Sequence, residues 1–273
     1  AETSGVQGAT QSGKPVFTEG NSRVPMNDDV PATFDDGSTS KTVDGIGTYT
    51  VASDGTVTFV PDPSFTGTAP AVTVVREDKN GTKASATYTP TVNPVTLTPT
   101  NKVSEDIQNV PQTETPTFAL SDDETAQITS KKLIDPATGQ PTDETSVTVA
   151  GEGTYTIDPA TGAVTFTPEK DFVGTAKGVT VQATATVTNE AGKTSTITSD
   201  ASYTPTVVAA VPTAQPATSK DIQGATQTGT PTFAGTTVQV NGQDKTITIK
   251  DNSYILLDKD GNEVSTTPAY AAD

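Results

Sequence analysis

Apolar residues alternate with Thr along much of this chain. In the stretch GTYTIDPATGAVTFTP, Tyr155 and Ile157 alternate with Thr, and Val164 and Phe166 do so again after a DPATG segment. A period of two is typical of strands that bury one face, and Pro and Gly favour the turn between two such strands. The pattern predicts β-hairpins and disfavours long helices.

The same pattern occurs more than once. The stretch VTFTPEKDFVGTA at Val164–Ala176 nearly repeats VTFVPDPSFTGTA at Val57–Ala69. A second motif occurs three times, as VQGATQSGKPVF from Val6, IQNVPQTETPTF from Ile107 and IQGATQTGTPTF from Ile222. Self-similarity at long intervals indicates tandem domains. Packing would explain why Phe, Pro and Gly recur while the charges change.

The repeats predict an all-β chain of tandem β-sandwich-like domains in an elongated, monomeric array with small interfaces. Repeat domains are expected at 1–92 and 106–207, extended Pro-containing linkers at 93–105 and 208–220, and the front half of a third repeat at 221–273.

Two hypotheses remain open for the front half of the third repeat. It is either ordered by contacts with the preceding unit or a neighbouring molecule, or it is a self-sufficient subdomain. A turn is expected at Gln243–Asp244, and a further strand pair around Lys259–Gly261.

One difference between the two complete repeats is informative. The stretch from Val179 to Tyr203 is eight residues longer than the stretch from Val72 to Tyr88. Four extra residues on each strand of a hairpin would keep every side chain on its original face. We therefore predict one long hairpin that is extended in the second repeat.

Aromatic residues at matching places are expected to form the two cores. These are Tyr49, Phe59, Phe65 and Tyr88 in the first repeat, and Tyr155, Phe166, Phe172 and Tyr203 in the second.

Composition and net charge restrict the possible fold, partners and chemistry. Only 32% of the 273 residues are hydrophobic and 5% are aromatic, which favours several small cores. So polar and acidic a chain could also be disordered, but regular alternation argues against disorder. The net charge of −17 disfavours nucleic acid and anionic membranes as partners. The chain has no Cys and no His, so disulfides and Ser-His-Asp catalysis are excluded.

Three acidic stretches are candidates for ion binding. DKDGNE at Asp258–Glu263 resembles the start of a calcium loop but lacks the later ligands, so we interpret it as a polar turn. Ser121–Glu124 and Asn27–Asp29 are interpreted as solvated loops. We expect no metal site and no cofactor, and binding residues stay unassigned.

Alignment of the two complete repeats disfavours a pair of catalytic carboxylates. Asp158 matches Ala52, while Glu169 matches Asp62, so no acidic pair recurs as glycoside hydrolysis would need. We expect no catalytic residues and no enzyme.

No lysine recurs at matching positions of the repeats. Lys14, Lys170 and Lys177 match Thr115, Pro63 and Pro70, so a crosslink common to all repeats is disfavoured. NGT at Asn80–Thr82 is interpreted as a hairpin turn.

The combination GTYTIDPATGAVTFTPEKDFVGTA, ATYTPTV and DIQGATQTGTPTF resembles the CshA-type fibril repeat of streptococcal cell-wall-anchored adhesins. The resemblance covers two full repeats and a front half. It implies tandem β domains in a surface fibril, with host binding, such as fibronectin capture, mainly in a separate tip region.

On this resemblance the chain is expected to be an internal stalk segment at the cell surface, anchored to the wall through a region outside it. Its expected partners are neighbouring repeats and, through the parent protein, a host matrix protein or other bacteria. The alternative is an adhesive module whose repeat surface itself binds such partners.

Overall fold

The computed structural model describes residues 1–18, 20–251 and 253–264, and its regular elements are all β-strands. The strands fall into three consecutive groups, here called units 1, 2 and 3, because every strand pairs within its own group.

Unit 1 contains β1 (Glu2–Val6), β2 (Gln11–Gly13), β3 (Thr33–Phe34), β4 (Ser40–Val43), β5 (Gly47–Val51), β6 (Val57–Pro61), β7 (Gly67–Thr68), β8 (Val72–Glu77) and β9 (Lys83–Asn93). Unit 2 contains β10 (Leu97–Thr100), β11 (Lys102–Ile107), β12 (Gln112–Glu114), β13 (Thr117–Leu120), β14 (Ala126–Leu133), β15 (Ser146–Val149), β16 (Gly153–Ile157), β17 (Val164–Pro168), β18 (Gly174–Thr175), β19 (Val179–Thr188) and β20 (Thr194–Val208). Unit 3 contains β21 (Thr213–Gln215), β22 (Thr232–Ala234), β23 (Thr236–Val240), β24 (Gln243–Ile247), β25 (Leu256–Leu257) and β26 (Glu263–Val264).

Units 1 and 2 share one topology of two sheets. The first sheet has the order β1-β9-β8-β3 in unit 1 and β11-β20-β19-β14 in unit 2; the second has β2-β6-β5-β4 and β12-β17-β16-β15. Strands β1 and β11 run parallel to β9 and β20, while all other pairs are antiparallel. Each core draws side chains from both sheets. The all-β, tandem sandwich class is therefore confirmed.

The inner strands of the first sheet form one hairpin, β8–β9 in unit 1 and β19–β20 in unit 2, which we call the closing hairpin. Val72 pairs with Tyr88, and Val179 pairs with Tyr203. Counting these first pairs, the hairpin contains six residue pairs in unit 1 and ten in unit 2. The predicted extension is confirmed, and it lengthens the hairpin by about 13 Å at the usual rise per residue.

Six of the eight predicted core aromatics are fully buried, and two are half-buried. Tyr49 packs on Phe59 with ring centroids 4.5 Å apart, and Tyr155 packs on Phe166 at 4.7 Å. The half-buried rings, Phe65 and Phe172, pack against the edges of their cores.

The Gly of each GTYT motif is required by a close approach of two strands. Gly47 has φ 150° and Gly153 has φ 156°. A Cβ at Gly47 would lie 2.5 Å from the Val60 carbonyl oxygen, and one at Gly153 would lie 2.4 Å from that of Thr167. Neither backbone atom can move without breaking its ladder, so any side chain here is excluded.

The predicted linkers need correction. Within 93–105, β10 pairs with β13, and β11 begins its parallel pairing with β20. Within 208–220, β21 pairs with β22. Pro99 had suggested a linker, but β10 pairs on one side only, and such an edge tolerates the missing N–H of Pro. The segments that connect the units are therefore only the few residues between β9 and β10 and between β20 and β21.

Unit 3 consists of three separate two-stranded pairs. The turn between β23 and β24 was predicted two residues too late. It is formed by Asn241 and Gly242, which have φ values of 50° and 72°. Two positive φ values are typical of the Asn-Gly hairpin turn. The pair β25–β26 flanks Lys259–Gly261 as expected. Residues 265–273 lie outside the described residues.

We expect Phe166→Ala to destabilise unit 2 by about 3–5 kcal/mol, because a fully buried ring leaves a cavity between two sheets. Thermal unfolding followed by amide NMR signals of unit 2 measures the loss. Val173→Ala, at a residue 45% exposed, is the matched control and should change stability by less than about 0.5 kcal/mol. Equal effects of the two substitutions would contradict the assigned core.

Candidate functional site at the junction between repeat units

The extended closing hairpin of unit 2 takes part in an apolar contact with unit 1. Val187 is fully buried and Val95 is 4% exposed, and Val6 of unit 1 packs against the cluster that these two residues form with Ala126. Leu120 and Ile197 complete this cluster. Without the four added residue pairs, Val187 would not exist on the hairpin, so the extension is what supplies this contact.

Polar side chains close the same junction around the Pro61–Pro63 segment of unit 1. The Asn189 side-chain amide donates to the Pro61 carbonyl at 2.7 Å, and the Ser195 hydroxyl donates to the Pro63 carbonyl at 2.6 Å. Gln7 donates to the same Pro63 carbonyl at 2.7 Å and accepts from the Val95 backbone N–H at 3.1 Å. We call these three side chains the junction clamp.

Two of the three side chains of the junction clamp are buried. Gln7 is 4% exposed and Asn189 is 6% exposed, and both have their amide groups hydrogen-bonded. A buried amide that lost its partner would be costly, since it could not exchange that bond for one to water. The clamp therefore favours one arrangement of the two units over others.

Charged groups lie at the rim of the junction. The Lys193 ammonium is 3.7 Å from the Asp62 carboxylate, and Thr10 donates to Glu190 at 2.5 Å. The pKa of Asp62 is lowered mainly by the hydrogen bond from the Ser64 hydroxyl, with Lys193 contributing less. Lys193 is 70% exposed, so this ion pair contributes little.

A second polar network links the two sheets within each complete unit. In unit 2 the Ser104 hydroxyl donates to Gln112 at 2.5 Å and lies 2.7 Å from the Tyr203 hydroxyl. The Gln112 amide donates to the Thr206 carbonyl at 2.9 Å. Unit 1 repeats the arrangement with the residues Thr3, Gln11, Tyr88 and Thr91. The network joins β11 and β20 of one sheet to β12 of the other.

The junction between units 2 and 3 is built differently. The Asn241 backbone N–H donates to the Glu105 carboxylate at 2.8 Å, and Lys245 pairs with Asp106. Val240, next to this turn, is 8% exposed. Within the described residues unit 3 has no closing hairpin, and the β23–β24 turn makes the contact instead.

The acidic stretches singled out in the sequence are capped turns. Asp258 accepts from the backbone N–H groups of Asp260 and Asn262, each at 2.9 Å, and the Asn262 hydrogen bonds lower its pKa. Asp122 accepts similarly from Glu124 and Thr125.

The other predicted positions are scattered over the surface. The side chain of Asn27 accepts from the Asp29 N–H, and Lys14 pairs with Asp54. Lys177 lies 3.8 Å from Glu152. In the part of the chain that the structure describes, no three His, Cys, Asp or Glu side chains converge as metal ligands. That part also holds no helix long and apolar enough to cross a membrane.

The junction clamp itself was missed in the sequence. A signal was present, because Gln recurs at the second and sixth places of each opening motif, as Gln7 and Gln11, then Gln108 and Gln112, then Gln223 and Gln227. Recurrent polar residues carry no alternation pattern, so they were not assigned to a core or a junction.

A family model described as the surface adhesin CshA repetitive domain matches residues 1–92, 94–207 and 209–271. The chain belongs to the CshA repeat family. The second and third matches begin before β10 and β21, which agrees with the placement of these strands in units 2 and 3. No curated protein matches the chain.

Solved structures similar to this CshA-repeat chain include repeat domain 13 of the fibrillar adhesin CshA from Streptococcus gordonii. It is 55% identical over 26% of this chain and 91% of its own, with a TM-score of 0.17. Mouse cadherin-23 EC22-24 is 14% identical over 66% of this chain and 52% of its own, with a TM-score of 0.29. A titin I9-I11 tandem is 11% identical over 76% and 64%, with a TM-score of 0.28.

We expect the double substitution Asn189→Ala and Ser195→Ala to loosen the junction between units 1 and 2, because each lost hydrogen bond contributes about 1 kcal/mol. NMR relaxation should then report different tumbling times for the two units. In the unsubstituted chain the two units should share one tumbling time. Thr196→Ala, at an exposed residue on the same hairpin, is the control. Unchanged tumbling in the double variant would show that the clamp does not fix the junction.

Alkaline pH should unfold the repeats through their buried tyrosines. Burial raises the pKa of Tyr49 to about 12 and also raises the pKa of Tyr88, Tyr155 and Tyr203. Since the folded-state pKa lies above the ordinary value of 10, stability is fully present below pH 10 and falls as the pH rises toward 12. Phenolate absorbance at 295 nm and circular dichroism should change together. Ionisation of all tyrosines near pH 10 with the fold intact would refute this.

Proposed function

We propose that this chain is a stalk segment of a bacterial surface fibrillar adhesin, which projects a distal binding region away from the cell wall. Membership of a surface adhesin repeat family supports the general role. The observation that carries the stalk role is the junction clamp, because a spacer must transmit direction from one unit to the next. A chain of freely jointed domains would not hold a binding region at a fixed distance.

The construction of the junction supports this mechanism. The closing hairpin of unit 2 both completes its own sheet and contacts unit 1 through Val187 and Asn189. Units in such an array interact only with their neighbours, so the stability of the array is approximately the sum of its unit and junction terms. The partners of this segment are, in this proposal, the neighbouring repeats.

Surface charge fits the same role. A net charge of −17 repels neighbouring fibrils that lie within roughly one Debye length, about 8 Å at physiological salt. Anchoring to the wall, and contacts with host matrix proteins or other bacteria, would be made by other regions of the parent protein.

Two measurements on residues 1–273 test the proposal. Small-angle X-ray scattering should show a rod whose cross-section is that of one unit, and the clamp variant should broaden its distance distribution. Immobilised host matrix proteins should not capture the chain. Saturable binding by these repeats, with a surface substitution that abolishes it, would favour an adhesive module. A compact particle would exclude a spacer.

A further inference from the structure

The chain enters and leaves the first sheet of unit 2 through neighbouring strands. It enters through β11 and leaves through β20, and these strands pair in parallel from Lys102 and Tyr203 to Ile107 and Val208. In a parallel pair, the start of one strand and the end of the other lie at opposite ends of the ladder. A pull on the chain along this axis therefore slides β11 past β20 instead of peeling it away.

The backbone hydrogen bonds of this pair are placed to share such a load. The Gln108 N–H donates to the Val208 carbonyl at 3.1 Å, whereas the Ile107 N–H faces away from β20 and donates to the Asp106 carboxylate. Successive N–H groups of a strand point to opposite sides, so the N–H of Val103 also faces the open edge. The N–H groups that face β20 on the same pattern are those of Lys102, Ser104 and Asp106. Sliding strains all of these bonds at once, whereas peeling breaks them one after another.

Side chains hold the same two strands in register. The Ser104 hydroxyl lies 2.7 Å from the Tyr203 hydroxyl and donates to Gln112, whose amide donates to the Thr206 carbonyl. On its other side β20 is held by ten residue pairs with β19. A slide of β11 by one residue would break this network and turn Ser104 toward the opposite face. Unit 1 has the same arrangement, with five residue pairs between β1 and β9 and an equivalent network.

We propose that each complete unit bears tension through this parallel pair, which we call the terminal strand pair: β1–β9 in unit 1 and β11–β20 in unit 2. Stretching the chain loads the pair in shear, so the unit stays folded until its whole ladder fails. This function goes beyond the proposed spacer role, because a spacer needs stiffness against bending but no resistance to stretching. It follows from the strand order of a single unit and is therefore tested separately from the stalk role.

Optical-tweezers unfolding of unit 2 within the complete chain tests the direction of loading. The chain has no Cys, so a pair of introduced cysteines defines where the two DNA handles are attached. Handles at Thr100→Cys and Ala209→Cys pull on opposite ends of the terminal strand pair, whereas handles at Thr100→Cys and Asp200→Cys pull on the same end. All three residues are exposed, and both handle pairs enclose nearly the whole unit. We expect a roughly twofold higher unfolding force with handles at opposite ends, because the ladder bonds then share the load.

Two proline substitutions at adjacent residues of β11 separate the ladder from the strand itself. Lys102→Pro removes an N–H that faces β20, and Val103→Pro removes one that faces the open edge, where Val103 is 73% exposed. With handles at opposite ends, Lys102→Pro should shorten the folded lifetime at constant force about fivefold, the effect of one hydrogen bond. Val103→Pro is the control and should change that lifetime by less than about twofold.

Two results would overturn the proposal. One is an unfolding force that is equal or lower when the handles are at opposite ends of the terminal strand pair. The other is an equal effect of the two proline substitutions, which would show that the ladder does not carry the load. The comparison of handle positions needs neither substitution, so it decides the matter if a proline variant does not fold.

Discussion

The insertion of the closing hairpin between two earlier strands is the constraint on which each complete repeat depends. Strands β11 and β14 are far apart in sequence from β19 and β20, and neither outer strand pairs with the other. The hairpin also carries Tyr203, which contributes to the core and holds Ser104 at the sheet edge. Folding of a unit therefore waits for its last strands, because only long-range pairing closes the core.

Hairpin length decides which contacts the tip of the closing hairpin makes in units 1 and 2. The short hairpin of unit 1 turns at Asp78, where the Lys79 N–H donates to the Pro25 carbonyl within the same unit. The longer hairpin of unit 2 reaches the neighbouring unit instead. Because the extension adds an even number of residues, the core positions keep their faces. Of the new apolar positions, Ala185 gains partners within unit 2, and Val187 gains them at the junction.

Sequence patterns predicted the elements that depend on alternation and missed those that depend on single polar contacts. The extended hairpin and the six buried aromatics followed from period and spacing. The edge strand β10 was missed because Pro99 suggested a linker, and the Asn241–Gly242 turn was placed two residues too late. Gln7 recurs in each opening motif but follows no alternation pattern, and Asn189 acts only where the two units meet, so neither residue was assigned to the junction.

The two junctions together show what the closing hairpin contributes beyond its own unit. Between units 1 and 2, buried amide groups and an apolar cluster fix the contact. Between units 2 and 3, a turn and an ion pair make it, with Lys245 still 41% exposed. Water competes with the Lys245–Asp106 ion pair of the second junction more than with the buried amides of Gln7 and Asn189 in the first. In unit 2 the hairpin that completes the core therefore also couples that core to unit 1.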